Sequence, residues 1–162
     1  MKSVEVVIMM GSESDMSTMS EAAKILKEFG ISFEMRVLSA HRVPDKTAKY
    51  AKELKSRGVK VVIAGAGGSA ALAGFVSSLT PLPVIGIPIE STALNGLDSL
   101  LSTVQMPPGV PVAAVAIGKN GAKNAGLLAL RILGLSNKKI QNALEKYRQT
   151  QAEKILKTKV GI

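Results

Sequence analysis

Apolar residues fall in short runs separated by amphipathic stretches, and the alternation predicts strands and helices in turn. Val4 to Met10 is apolar apart from Glu5, as in a strand buried on both faces of a parallel sheet. Gly11 ends the run, and Ser12-Glu13-Ser14-Asp15 supplies capping side chains for a helix over about Met16 to Phe29. Met19, Ala22, Ala23 and Leu26 form the inward face of that helix, and Gly30 closes it. Phe33, Met35 and Val37 alternate with Glu34 and Arg36, which predicts a half-exposed strand. The turn Ser39-Ala40-His41-Arg42-Val43 leads into a second helix from Pro44 to about Arg57, closed by Gly58. Val59 to Ala64 is a third predicted strand, followed directly by Gly65-Ala66-Gly67-Gly68.

A short helix over about Ala70 to Leu79 then runs through Thr80-Pro81-Leu82-Pro83 to a fourth strand, Val84 to Ile89. A segment carrying Pro107, Pro108, Gly109 and Pro111 leads to a fifth, Val112 to Ile117. Two helices end the chain. Gly121 to Leu133 is rich in Ala and Leu, and Asn137 to Lys157 carries Ile140, Leu144, Tyr147 and Ile155 at near-helical spacing. Strands alternating with helices predict an α/β fold around a parallel sheet with right-handed crossovers. Five strands favour a flavodoxin-like three-layer αβα sandwich, with an extra C-terminal helix, over the six-stranded dinucleotide fold.

Composition narrows the picture. The 162 residues, 46% hydrophobic and 20% charged, suit a single globular domain spanning 1–162. The absence of cysteine removes disulfides, thiolate-held zinc and thiol catalysis, and a single histidine argues against a His-rich metal site. No stretch reaches the about 18 apolar residues of a membrane span, and the opening MKSVEVVIMMGSESD runs into acidic residues, not a cleavage site. A cytoplasmic protein with no membrane partner is the expectation. The net charge of +9 invites a nucleic-acid reading. Against it, the lysines are spread over predicted helices, and three Phe, two Tyr and no Trp leave few surfaces on which bases could stack. No nucleic-acid partner is expected, and the charge serves solubility and attraction for anionic metabolites.

In an open parallel sheet, ligands bind beyond the carboxyl ends of the strands. Those ends here carry Gly11-Ser12-Glu13-Ser14-Asp15, Ser39-Ala40-His41-Arg42, Gly65-Ala66-Gly67-Gly68 and Glu90-Ser91-Thr92, which would converge on one crest. Gly and Ser before a helix offer N–H groups and hydroxyls to an anion, though they are also ordinary turn and cap residues. The glycine run has neither Walker nor dinucleotide spacing. It is either a tight strand-to-helix turn or a wall of bare backbone on which a flat ring could lie. His41 is the sharpest candidate. An imidazole at a strand end can move a proton near neutrality, and Arg42 beside it can fix a phosphate or carboxylate.

Taken together, Gly-Ser-x-Ser-Asp at 11–15, Ser-Ala-His-Arg at 39–42 and Ala-Gly-Ala-Gly-Gly at 64–68 resemble the N5-carboxyaminoimidazole ribonucleotide mutases. So do Leu-Asn-Gly-Leu-Asp-Ser-Leu at 94–100, Val-Gln-Met-Pro at 104–107, Ala-Ile-Gly-Lys at 116–119 and Asn124-Ala125. The resemblance covers nearly the whole chain. It implies an enzyme of de novo purine biosynthesis that moves a carboxylate from the exocyclic nitrogen of an aminoimidazole to ring carbon 4, without ATP, metal or organic cofactor. It further implies decarboxylation in the pocket, recapture of the CO₂ by the ring carbon, and removal of that carbon's proton by His41. Ser12, Asp15 and Arg42 match the family's substrate-binding positions. Ser14 and Ser39 would neighbour the phosphate or ribose, and Gly67, Gly68 and Ser91 the ring and CO₂. The family assembles as homo-octamers, so the last helix is expected to dock on neighbouring subunits, unless its apolar stripe covers its own subunit.

One segment departs from the pattern. Mutases of this type usually read Ala-Ala-His-Leu-Pro-Gly after the glycines, where this chain reads Ser69-Ala70-Ala71-Leu72-Ala73-Gly74. CO₂-using aminoimidazole ribonucleotide carboxylases also carry an Ala-Leu-x-Gly-Phe run there. They differ at Arg42 and in the glycine segment, which follow the mutase pattern here. The mutase is the expectation, with the carboxylase as one alternative and a non-catalytic protein binding a phosphoribosyl ligand as another.

Overall fold

The structure, a computed structural model, describes residues 4–91 and 93–158. Every residue of β1 (Val6–Met10) is buried, because β1 is inside the sheet and covered on both faces. Its neighbours are β2 (Phe33–Val37) on one side and β3 (Val61–Gly67) on the other, followed by β4 (Val84–Ile89) and β5 (Ala113–Ala114). All pairings are parallel, in the order β2-β1-β3-β4-β5. That is the flavodoxin-like order, in which the chain reverses its direction of travel between β1 and β3.

The pleat sends alternate β1 side chains into two cores. Val6, Ile8 and Met10 pack under α1 (Met16–Glu28) and α5 (Gly118–Gly134), while Val7 and Met9 pack under α2 (Pro44–Glu53) and α3 (Leu72–Ser77). α1 and α5 approach closely because Gly126 has no side chain: a Cβ there would lie 2.9 Å from Ile25 Cβ and 3.1 Å from the Ala22 carbonyl. At the sheet edge, Glu34 of β2 pairs with both Arg36 and Arg57, and both guanidinium groups lie over the Tyr50 ring of α2, at 6.0 and 5.0 Å. Charges on an edge strand oppose pairing with another sheet.

The structure departs from the expectations in several places. α4 (Leu97–Val104) occupies a stretch read only as the approach to the fifth strand. Its burial is inverted. Ser99 and Thr103 are the buried side, while Leu97, Leu101 and Val104 are 52%, 50% and 48% exposed. The Ser99 hydroxyl donates to the carbonyls of Ile89 and Gly96, at 2.7 and 2.8 Å, which lets a polar face pack on β4. Thr103 Cγ2 fills the place of the missing Gly86 side chain. β5 shrinks to two residues, preceded by Pro111, which has no N–H to give. β3 continues past Ala64 to Gly67, since Gly65, Ala66 and Gly67 still pair with β4, and α2 stops at Glu53.

The stripe on α6 (Lys138–Lys157) divides. Ile140 is buried, and Leu144 and Tyr147 pack against the α1–α5 core, with Tyr147 5.8 Å from the Phe29 ring. Ile155 and Leu156 are 75% and 84% exposed.

Gly121 gives the strongest test of this packing. A Cβ there would stand 1.6 Å from the Ala116 carbonyl oxygen, and backbone cannot swing away. Gly121→Ala is expected to cost about 3 kcal/mol or more, lowering Tm by roughly 6–12 °C. Gly30→Ala, with nothing within 4 Å and only a φ of +69° to oppose it, should cost about 1 kcal/mol. Equal melting shifts for the two variants would contradict the close approach.

Candidate functional site

Parallel strands bring their carboxyl ends to one edge, and the cleft lies there, with a volume of about 670 Å³. Ser12, Ser14, Asp15, Ser39, His41, Arg42, Gly67, Gly68 and Ser91 all line it. Of the fourth strand end, Glu90 and Ser91 line the cleft, whereas Thr92 lies outside the described residues.

The loop after β1 is held by reciprocal capping. Ser14 N–H donates to Ser12 Oγ at 3.4 Å, and Ser12 N–H donates to Asp15 Oδ2 at 3.1 Å. Ser14 Oγ–H also donates to Ser12 Oγ at 2.9 Å. These contacts turn residues 13–15 into a short 3-10 turn, which carries the chain into α1. Gly11 starts this loop, and a Cβ there would make only ordinary contacts with Ala66 and Asp15, each at 3.9 Å.

The loop after β2 is knotted by different bonds. Thr47, fully buried on α2, donates its hydroxyl to the carbonyls of Ser39 and Val43, at 3.1 and 3.0 Å. Val43 N–H also reaches the Ser39 carbonyl at 3.1 Å, so the five residues bearing His41 form one closed turn. Arg42 crosses to the neighbouring loop, where Nη2 donates to the Gly11 carbonyl at 2.7 Å. Its Nε donates to Ser39 Oγ at 3.4 Å. This tether leaves the guanidinium with donors to spare for an anion. The His41 ring is exposed and makes no side-chain hydrogen bond among the described residues.

On the far side of the cleft, Gly67 lies against the end of β4, where a Cβ would be 3.4 Å from the Ile89 carbonyl oxygen. Gly68 has a φ of +61°, a conformation that favours glycine. Gly67 and Gly68 therefore present the bare wall that the sequence suggested, although Gly67 still belongs to the strand. The Ser91 hydroxyl donates to the Asp98 carboxylate, with oxygens at 2.8 and 2.7 Å, and this anchors the chain leading to α4.

Asp15 is only 8% exposed, and burial pushes its carboxyl above the ordinary value of an aspartate. The Ser12 N–H and the Arg42 charge pull the other way without overcoming it. Ala71 and Glu90 line the cleft as well. Ala71 belongs to the segment that departs from the expected pattern, so the departure lies in the site itself. Glu90 adds a second carboxylate. Its place in the strand-end run was the available signal. Among the described residues, no three His, Cys, Asp or Glu side chains gather into a metal-holding group, and no helix is long and apolar enough to cross a membrane.

Comparison with known proteins places the chain and its fold among relatives. The family model described as AIR carboxylase matches residues 5–154. The N5-carboxyaminoimidazole ribonucleotide mutase of Saccharolobus solfataricus is 56% identical over 156 residues, covering 96% of this chain and 98% of that one. The protein of that name from Pyrococcus horikoshii is 57% identical over 148 residues, covering 91% and 82%. A crystal structure of Treponema denticola PurE aligns with a TM-score of 0.84 at 37% identity, over 93% of each chain.

The buried Asp15 charge has a stability signature. A carboxyl with a raised folded-state value favours the fold at low pH, and the contribution is lost as pH rises through that value. Asp15→Asn, whose amide oxygen can still accept from Ser12 N–H, should therefore melt at or above the native temperature at pH 7. Its advantage should shrink to nothing below the usual carboxylate range. A variant that melts lower than native at pH 7 but not at pH 4 would contradict this.

Proposed function

The chain belongs to the AIR carboxylase family, and from that premise we propose that it converts N5-carboxyaminoimidazole ribonucleotide to 4-carboxy-5-aminoimidazole ribonucleotide in purine biosynthesis. The observation that carries the reading is the position of His41. With no side-chain hydrogen bond among the described residues, it stands in the same cleft as the Arg42–Ser12–Ser14 anion cradle and the Gly67–Gly68 wall. Arg42, Ser12, Ser14 and Ser39 take the phosphate end of the substrate, and Asp15 accepts from a ribose hydroxyl. The aminoimidazole lies on Gly67 and Gly68, near Ser91. The bond between the exocyclic nitrogen and its carboxylate breaks, and the nitrogen takes up a proton. Ring carbon 4 then attacks the released CO₂, and His41 removes the proton from that carbon. One proton is gained and one lost, so the reaction needs no net acid or base. The chemistry proceeds without ATP, metal or organic cofactor, and the place of work is the cytoplasm.

His41→Asn tests the assignment. The amide keeps much of the shape but cannot shuttle a proton, so turnover should fall by about 10²–10⁴-fold. Ala71→His should change it by less than about tenfold, because the native chain works without that ring. Normal turnover by His41→Asn would sink the proton-transfer role.

We also infer assembly as a homo-octamer. Leu94, Leu97, Leu101 and Val104 form an exposed apolar stripe at helical spacing, and the end of α6 offers Ile155 and Leu156. Contiguous exposed apolar surface of this kind marks an interface, and α6 beyond Tyr147 extends as an arm suited to a neighbouring subunit. Light scattering of the native protein should give about eight times 16.9 kDa, and Leu97→Asp with Leu101→Asp should lower that mass. A native monomer would refute the assembly.

A further inference from the structure

Glu90 follows β4 directly and lines the cleft beside the glycine wall. A Cβ on Gly67 would be 3.7 Å from the Glu90 carbonyl oxygen, so the two strand ends run side by side. The Glu90 carboxylate lies over the start of α5, where a Cβ on Gly118 would sit 3.3 Å from Oε1. The other acidic groups nearby are engaged: Asp15 accepts from Ser12 N–H, and Asp98 accepts from Ser91. Glu90 has no hydrogen-bond or ion partner among the described residues.

A free carboxylate is an unexpected neighbour for a substrate that is itself anionic. It is useful only against a group that becomes positive during the reaction. The exocyclic nitrogen is such a group. When ring carbon 4 attacks CO₂, a carbon–carbon bond forms, the electron pair of the ring double bond moves into it, and the nitrogen lone pair closes a carbon–nitrogen double bond. The nitrogen then carries the positive charge of an iminium while the new carboxylate carries the negative one. Loss of the carbon 4 proton to His41 returns the electron pair to the ring and neutralises the nitrogen.

Building on the reading of the site as a carboxylate-transfer pocket, we infer that Glu90 is a catalytic residue that pairs with the exocyclic amine and stabilises its positive charge during CO₂ recapture. A fixed charge aimed at charge that develops in the transition state accelerates that step. The preceding decarboxylation starts and ends with an uncharged nitrogen, so it depends on that charge less than CO₂ recapture does.

Glu90→Gln separates the two steps, because the amide keeps the shape and a hydrogen-bond acceptor but loses the charge. Native and variant enzymes would be supplied with N5-carboxyaminoimidazole ribonucleotide, and both aminoimidazole ribonucleotide and its 4-carboxy product counted against an enzyme-free blank. The variant is expected to form the 4-carboxy product about 10- to 100-fold more slowly while aminoimidazole ribonucleotide accumulates. Native rates and native partition in the variant would overturn the role of Glu90. So would an equal loss of both products, as a residue that merely shapes the pocket would slow both steps. A native enzyme that forms no 4-carboxy product would instead overturn the reaction on which the inference rests.

Discussion

The parallel alignment of β1, β3 and β4 is the constraint from which the site follows. Parallel strands put every carboxyl end on the same edge, so four loops distant in sequence line one cleft. The flanking helices make this possible by burying both faces of the sheet, and they leave only the strand ends free for chemistry. The hydrogen bond from Arg42 to the Gly11 carbonyl then joins the outermost of these loops to its neighbour. Without that tether, the loop bearing His41 would be held by α2, the buried Thr47 hydroxyl and the bonds within its own turn.

Charge is graded across the cleft. Arg42 stands over the loops after β1 and β2, and Glu90 stands at the end of β4. A ribonucleotide has the complementary polarity, with an anionic phosphate at one end and a hydrogen-bond-donating amine at the other. Asp15 stands in the same cleft at some expense to the fold, since burial makes its charge unfavourable. A group held against its own solvation is expected where binding, not folding, sets the residue.

Much of this was legible in sequence, for physical reasons. Buried parallel strands are nearly continuous apolar runs, and each ended in a visible cluster of Gly and Ser, so both the sheet and its crest could be read. α4 escaped because its pattern is turned outward: Leu97 and Leu101 face solvent while Ser99 and Thr103 are buried through hydrogen bonds. β5 was overread because Val112 to Ile117 is apolar enough for a strand, yet only Ala113 and Ala114 pair. For α6, periodicity could not divide a stripe that serves its own subunit up to Tyr147 and lies open at Ile155. Glu90 stands in the strand-end run, but only the structure reveals that its carboxylate borders Gly118 and has no partner among the described residues.

The central claim is that carboxylate passes from nitrogen to carbon inside the cleft. The most direct measurement uses N5-carboxyaminoimidazole ribonucleotide labelled with ¹³C in its carboxylate, turned over in unlabelled bicarbonate buffer. The label is then read in the 4-carboxy product. Retention of the label is predicted, because the proposed mechanism recaptures CO₂ within the cleft before it escapes. Product carrying the isotopic composition of the buffer would contradict the account and assign the protein to carboxylation by free CO₂.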